Sequence, residues 1–152
     1  EKPAVDMTIY REMIGSLMYL TASRPNIMFS VCYCARFQAN PCEPHMVAVK
    51  NILRYLKKTS SLGLWYPAKS GFLVQAFYDA DLGGCVLDRK STTSGCQFLN
   101  GKLVSWQSKK QTCVSLSTVE AEYITATSCT SQDIWIQSEL RDYGLNMKKI
   151  PL

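Results

Sequence analysis

Four acids in two close pairs, Asp79 with Asp81 and Glu120 with Glu122, are the residues best suited to chemistry. In an extended segment a spacing of two sends Asp79 and Asp81 to one face. If that strand ends where a helix carrying Glu122 begins, the carboxylates converge. Convergent carboxylates with no lysine among them invite a hard divalent cation. Two such ions, about 3.5–4 Å apart, clamp a phosphodiester for in-line attack by water. Each acid also has a plainer reading. Asp79 and Asp81 precede Gly83-Gly84 and suit a turn. Glu120 stands three residues after Ser117 and completes a capping box, which takes it out of the ligand set. Glu122 suits the positive end of a helix dipole.

The elements that would position these acids follow from apolar spacing. Tyr10, Met13, Ile14 and Leu17 predict a helix over 8–20, stopped at Arg24-Pro25. Met28, Val31, Cys32 and Ala35 predict a second over 26–38, ended by Asn40-Pro41. Val49, Ile52, Leu53 and Leu56 predict a third over 44–58, with Pro44 tolerated in its first turn. Leu64-Trp65-Tyr66 reads as a short strand. After residues 67–71 the pattern turns strand-like. Strands are expected over 72–80, 92–99 and 103–107, the last two joined by Asn100-Gly101, a strong hairpin signal. Together they make a three-stranded antiparallel meander. A helix opens at Ser117 and closes at Gly144, with the small residues Thr125 to Ser131 expected to kink or split it. Ile150-Pro-Leu152 reads as the approach to another strand.

Composition bounds the rest. The chain has 152 residues, 47% apolar and 19% charged, enough for a real core and unlike a disordered tail. No run of about 18 apolar residues occurs, so no membrane partner is expected. A net charge of +5 permits a polyanionic partner without demanding one. Seven cysteines without CxxC pairs, and no signal peptide, read as reduced thiols, most of them small core residues. Cys32, Cys34, Cys42 and His45 form a string whose spacing is not that of a zinc site, which leaves His45 as a helix-start residue. Trp106 and Trp135 read as core rather than as base-stacking platforms.

Four ordered blocks carry a resemblance: Tyr78-Asp-Ala-Asp-Leu-Gly-Gly84, Asp88-Arg-Lys-Ser-Thr-Thr-Ser-Gly95, Val104-Ser-Trp-Gln-Ser-Lys-Lys-Gln111 and Ser117-Thr-Val-Glu-Ala-Glu-Tyr123. They resemble the ribonuclease H region of copia-type retrotransposon Pol polyproteins. The front half, with Tyr10-Arg-Glu-Met-Ile-Gly-Ser-Leu-Met-Tyr-Leu20, Arg24-Pro-Asn-Ile27 and Ile52-Leu-Arg-Tyr-Leu-Lys57, is similar to the thumb and connection that follow the reverse transcriptase palm. The resemblance covers essentially the whole chain.

The resemblance implies an α+β chain: a helical segment over 1–66, a linker over 67–71, and a partial ribonuclease H-like domain over 72–152. It implies a parent activity, hydrolysis of the RNA strand of an RNA–DNA hybrid with two Mg²⁺ ions. By position, Asp79 and Glu122 match catalytic, metal-holding acids, with Asp81 a less favoured ligand. Arg89, Lys90, Lys109 and Lys110 would contact phosphates of the hybrid. The family's third acid follows on the next strand, where Leu152 ends this sequence. The resemblance therefore implies an incomplete catalytic set, weak or absent Mg²⁺ binding, and an isolated chain without activity. The other partner would be the remainder of the Pol polyprotein, and the setting a cytoplasmic virus-like particle with access to the nucleus. The alternative is a catalytically dead nucleic-acid-binding or chain-association module, self-associating through unpaired strand edges.

Overall fold

The computed structural model describes residues 5–68 and 73–145. The chain is α+β and divides into two compact units, Glu1–Leu64 and Trp65–Leu152.

The first unit is three helices. α1 (Met7–Leu20) starts at Asp6, whose Oδ1 accepts the N–H groups of Thr8 at 2.8 Å and Ile9 at 3.2 Å. That satisfies two donors a helix start leaves unpaired. α2 (Met28–Ala35) follows a 3-10 turn, Pro25–Ile27. It ends three residues before the expected 38, because Arg36 and Phe37 donate to Tyr33 O and Cys34 O in the tighter i to i+3 pattern. α3 (Glu43–Lys58) ends on Lys57 and Lys58, favourable cations at its negative pole. The three meet over Tyr10, Ile14, Leu17, Ile27, Val31, Met46, Val49 and Ile52. Tyr10 is fully buried there and its hydroxyl donates to Cys34 O at 2.9 Å. Burial, reinforced by Cys34, pushes the Tyr10 phenol up to about 12.

The second unit is a sheet with one helix on it. β1 (Val74–Asp81), β2 (Thr92–Leu99) and β3 (Lys102–Lys110) form an antiparallel meander in that order. Asp79 lies opposite Ser94 and Asp81 opposite Thr92. Asn100 and Gly101 turn the β2–β3 hairpin, both at positive φ (49° and 76°), as the asparagine–glycine pair permits. β3 extends beyond the expected 103–107 at both ends. Leu64-Trp65-Tyr66 forms no strand; Tyr66 instead donates its hydroxyl to Leu103 O at 2.6 Å, and Pro67 beside it lacks the N–H a ladder needs.

α4 (Thr118–Asp142) is a single unbroken helix, without the kink or split expected at Thr125–Ser131. The hydroxyls that suggested a break are absorbed by the helix, since Thr127 donates to Tyr123 O and Ser131 to Thr127 O, both at 2.9 Å. The small residues have another use. Ala121, Thr125, Cys129, Asp133 and Ile136 form the buried stripe, and their size lets α4 lie close on the sheet. A Cβ at Gly95 of β2 would stand 2.5 Å from Cys129 Sγ. Trp135 is 55% exposed, contrary to the core position expected, because one residue further on it is Ile136 that completes the stripe. Gly144, at φ 80°, ends the helix. The expected linker 67–71 and the tail from Met147 lie largely outside the described residues. No helix among the described residues is long and apolar enough to cross a membrane.

Candidate functional site

The C-terminal end of β1 carries Asp79 and Asp81, both exposed. Alternation puts Ala80 on the face covered by α4: its partner Thr93 bonds Thr125 of that helix, oxygen to oxygen, at 3.0 Å. Asp79 and Asp81 therefore point away from that face. Glu122, half-buried on the first turns of α4, reaches over to this strand end. Its Oε1 accepts the N–H of Ala80 at 3.4 Å. The structure thus brings the Glu122 carboxylate to the peptide between the two aspartates.

Asp81 has a second environment. Its carboxylate lies over Gly84, so closely that a Cβ at that position would overlap it. It is directed toward the turn after β1. Glu120 stays out of the group: Ser117 Oγ accepts the N–H of Glu120 at 3.1 Å, and Glu120 Oε2 accepts the N–H of Leu116 at 2.7 Å. The cap works as expected, but the glutamate reaches one residue beyond Ser117.

What fixes the start of α4, and with it Glu122, is a buried polar cluster that sequence spacing did not single out. Gln111, just past β3, donates from Nε2 to Thr93 Oγ1 (3.2 Å), Ala121 O (3.1 Å) and Thr125 Oγ1 (3.3 Å). Its Oε1 accepts the Ser115 hydroxyl at 3.0 Å. All four side-chain members are buried. The one signal in the sequence is the i, i+4 run of small residues from Ala121 to Asp133.

Two shallow hollows flank the acids. One, of about 240 Å³, is lined by Asp79 with Phe77, Tyr78, Ser94, Gly95, Cys96 and Gln107. The other, of about 360 Å³, is lined by Glu122 with Tyr78, Thr118, Val119, Tyr123 and Ala126. Among the described residues the only ion pair is Lys110–Asp88, so no cation neutralises Asp79, Asp81 or Glu122. Among those residues, too, no group of three or more histidine, cysteine, aspartate or glutamate side chains converges as a metal site would require. In the helical unit, His45 Nδ1 accepts the N–H of Cys42 at 3.0 Å and its ring stacks on Phe37, centroids 3.9 Å apart.

The four cations picked out from the sequence differ in setting. Lys110 Nζ lies 2.6 Å from Asp88 Oδ2. This lysine, the Cys85 thiol and the Lys90 amide hold the Asp88 carboxyl well below the usual carboxylate range. Arg89 and Lys109 are exposed and Lys90 is half-buried.

The amino-acid sequence is similar to those of transposon proteins. The chain is 41% identical over 98% of its length to a retrovirus-related Pol polyprotein from transposon TNT 1-94 of Nicotiana tabacum, covering 11% of that protein. It is 37% identical over 97% of its length to the Pol polyprotein from transposon RE1 of Arabidopsis thaliana, covering 10% of it. It is also 36% identical over 87% of its length to the secreted RxLR effector protein 161 of Plasmopara viticola, and covers 94% of that protein. The chain belongs to the copia-type retrotransposon Pol family. It spans about a tenth of the length of the polyproteins it matches. No protein-family profile and no solved structure matches it.

Proposed function

We propose that this segment is the part of a copia-type Pol polyprotein that engages RNA–DNA hybrids and supplies Asp79 and Glu122 to ribonuclease H-type cleavage of the RNA strand. The observation that carries the reading is the reach of Glu122 from α4 to the peptide beside Asp79, over 42 residues of sequence. Membership in the Pol family supports it. On this reading Asp79 and Glu122, whose side chains lie on opposite faces of β1 here, belong to a Mg²⁺ site that forms only with carboxylates from elsewhere in the polyprotein, because the acids present are too few for two ions. Mg²⁺ supplies activation of water and charge stabilisation at the phosphodiester. The chain's own residues orient the carboxylates, through the Gln111 cluster and the Ala80 amide, and face the backbone of the hybrid with Arg89, Lys90 and Lys109. The setting is that of reverse transcription, in a virus-like particle.

The test is Mg²⁺-dependent cleavage of a hybrid with labelled RNA, by the segment within a longer piece of its polyprotein. Asp79→Asn and Glu122→Gln should each lower cleavage by about 100-fold or more. Full activity in either variant, or none in the parent, overturns the reading.

The lack of a three-ligand cluster among the described residues favours a second reading, a module that binds hybrid or pairs with another chain and cleaves nothing. Its signature is hybrid binding unaffected by EDTA and by both substitutions, with no cleavage by the longer segment.

A further inference from the structure

The turn between β1 and β2 is built more firmly than its sequence requires. Cys85 and Ser91, at its two ends, are buried. Cys85 N–H donates to Lys90 O at 3.1 Å, and Arg89 N–H to Cys85 O at 2.7 Å. Gly83 N–H donates to Ser91 Oγ at 3.1 Å, and Lys90 N–H to Asp88 Oδ1 at 3.3 Å. The Lys110–Asp88 pair ties the loop to the end of β3. This frame holds two adjacent aliphatic side chains away from the sheet: Val86 is 78% exposed and Leu87 74%. A loose loop would fold such a pair down and hide it from water. Around the tip cations outnumber acids, with Asp81 the acid unpaired among the described residues at the start of the turn. Asp88 is spent on Lys110, while Arg89, Lys90 and Lys109 have no ion pair among the described residues.

We infer that the loop Cys85–Lys90 is a preformed docking element for the RNA–DNA hybrid, in which Val86 and Leu87 lie on the sugars of the minor groove, Arg89 and Lys109 flank them on phosphates, and the Asp88–Lys110 pair keeps the loop in shape. The inference rests on the hybrid as partner. An A-form-like duplex offers a wide, shallow minor groove that an exposed tip can enter, and proteins that bind a minor groove of DNA frequently present apolar side chains to it. Charge complementarity selects the polyanion. Lys110, one of the four cations expected on phosphate, is here a structural latch.

The experiment is binding of a labelled RNA–DNA hybrid by the full chain in EDTA, read by fluorescence anisotropy over a range of salt, with folding of each variant checked by circular dichroism. Val86→Ser with Leu87→Ser should weaken binding about tenfold and leave the salt dependence unchanged. Arg89→Ser with Lys109→Ser should lower the salt slope by about two. Asp88→Asn decides between latch and bulk charge. Removing an acid beside a polyanion would by charge alone tighten binding; loss of the latch weakens it. Wild-type affinity in the Val86/Leu87 variant, tighter binding by Asp88→Asn, or no hybrid binding by the parent chain overturns the inference. So does transfer of the Val86/Leu87 effect to phosphatidylserine vesicles with no effect on hybrid. The catalytic reading stands or falls separately, on cleavage by Asp79→Asn and Glu122→Gln variants that still bind.

Discussion

Gln111 has more depending on it than any acid in the second unit. Its amide shares its two hydrogens among three acceptors and accepts one donor in a buried layer; Thr93 and Thr125 keep their bond to each other, so Gln111→Ala leaves the Ser115 hydroxyl without this partner and opens a cavity. Each unsatisfied buried group costs about 1–3 kcal/mol. We expect Gln111→Ala to destabilise the second unit by about 2–4 kcal/mol in urea unfolding. Where the chain still folds, α4 should lose its fixed start and Glu122 its place beside Ala80. Gln111→Glu keeps the shape but removes the donor, and should recover little. Nothing in the type or spacing of Gln111 announces this role. Asp79, Asp81 and Glu122 stand out in the sequence because carboxylates at short intervals are rare and readable. A glutamine after two lysines reads as surface until the fold turns it inward.

The elements were legible wherever one face is apolar and the other polar. α1 and α3 fall within a residue of the ranges their spacing predicts, and Asn100-Gly101 places the hairpin because only a few residues tolerate positive φ in succession. α4 was misread for a physical reason. Its buried face is small and polar rather than large and apolar, so Ser117 and Gly144 mark its ends while a hydrophobic pattern misses its contact stripe. The closeness this permits can be measured. Gly95→Ala adds a methyl where Cys129 Sγ already sits, and should cost about 1–3 kcal/mol. Cys129→Ala removes the sulfur, and in a double-mutant cycle it should return part of that loss. If the two losses simply add, the contact between β2 and α4 is not as close as described.

At the scale of the whole chain, the two units titrate at opposite ends of the pH range. Tyr10 is held neutral in the folded helical unit up to about 12, above the ordinary phenol value of about 10. The folded state thus keeps a proton that the unfolded state releases, and stability falls as pH rises through that window. Tyr10→Phe should remove this alkaline loss and, without the bond to Cys34 O, cost about 1 kcal/mol at neutral pH. The second unit carries Asp133, 3% exposed, beside Gln97, neither side chain hydrogen-bonded by the geometry described. Burial pushes the Asp133 carboxyl up, only partly offset by Gln97. Its folded form therefore binds a proton at pH values where the unfolded carboxyl, near 3.9, has lost it; here too stability falls with rising pH, from the acid side. Asp133→Asn should flatten the fall of thermal stability as pH rises above the ordinary carboxylate range, and raise stability on the alkaline side of that fall. Asp88 has the opposite sign: its lowered pKa favours the folded loop above the ordinary carboxylate range and is lost on acidification.

The bond from the Ala80 amide to Glu122 couples two events. β1 pairs on one side only among the described residues, with β2. A strand added along its other side would seek main-chain donors such as this one, and Glu122 already holds it. Whatever draws the carboxylate away, a cation or a basic side chain, therefore releases an amide for pairing; a strand that takes the amide releases the carboxylate for a cation. By linkage each event strengthens the other, by the same free energy in both directions. The protection of the Ala80 amide against hydrogen exchange would report both.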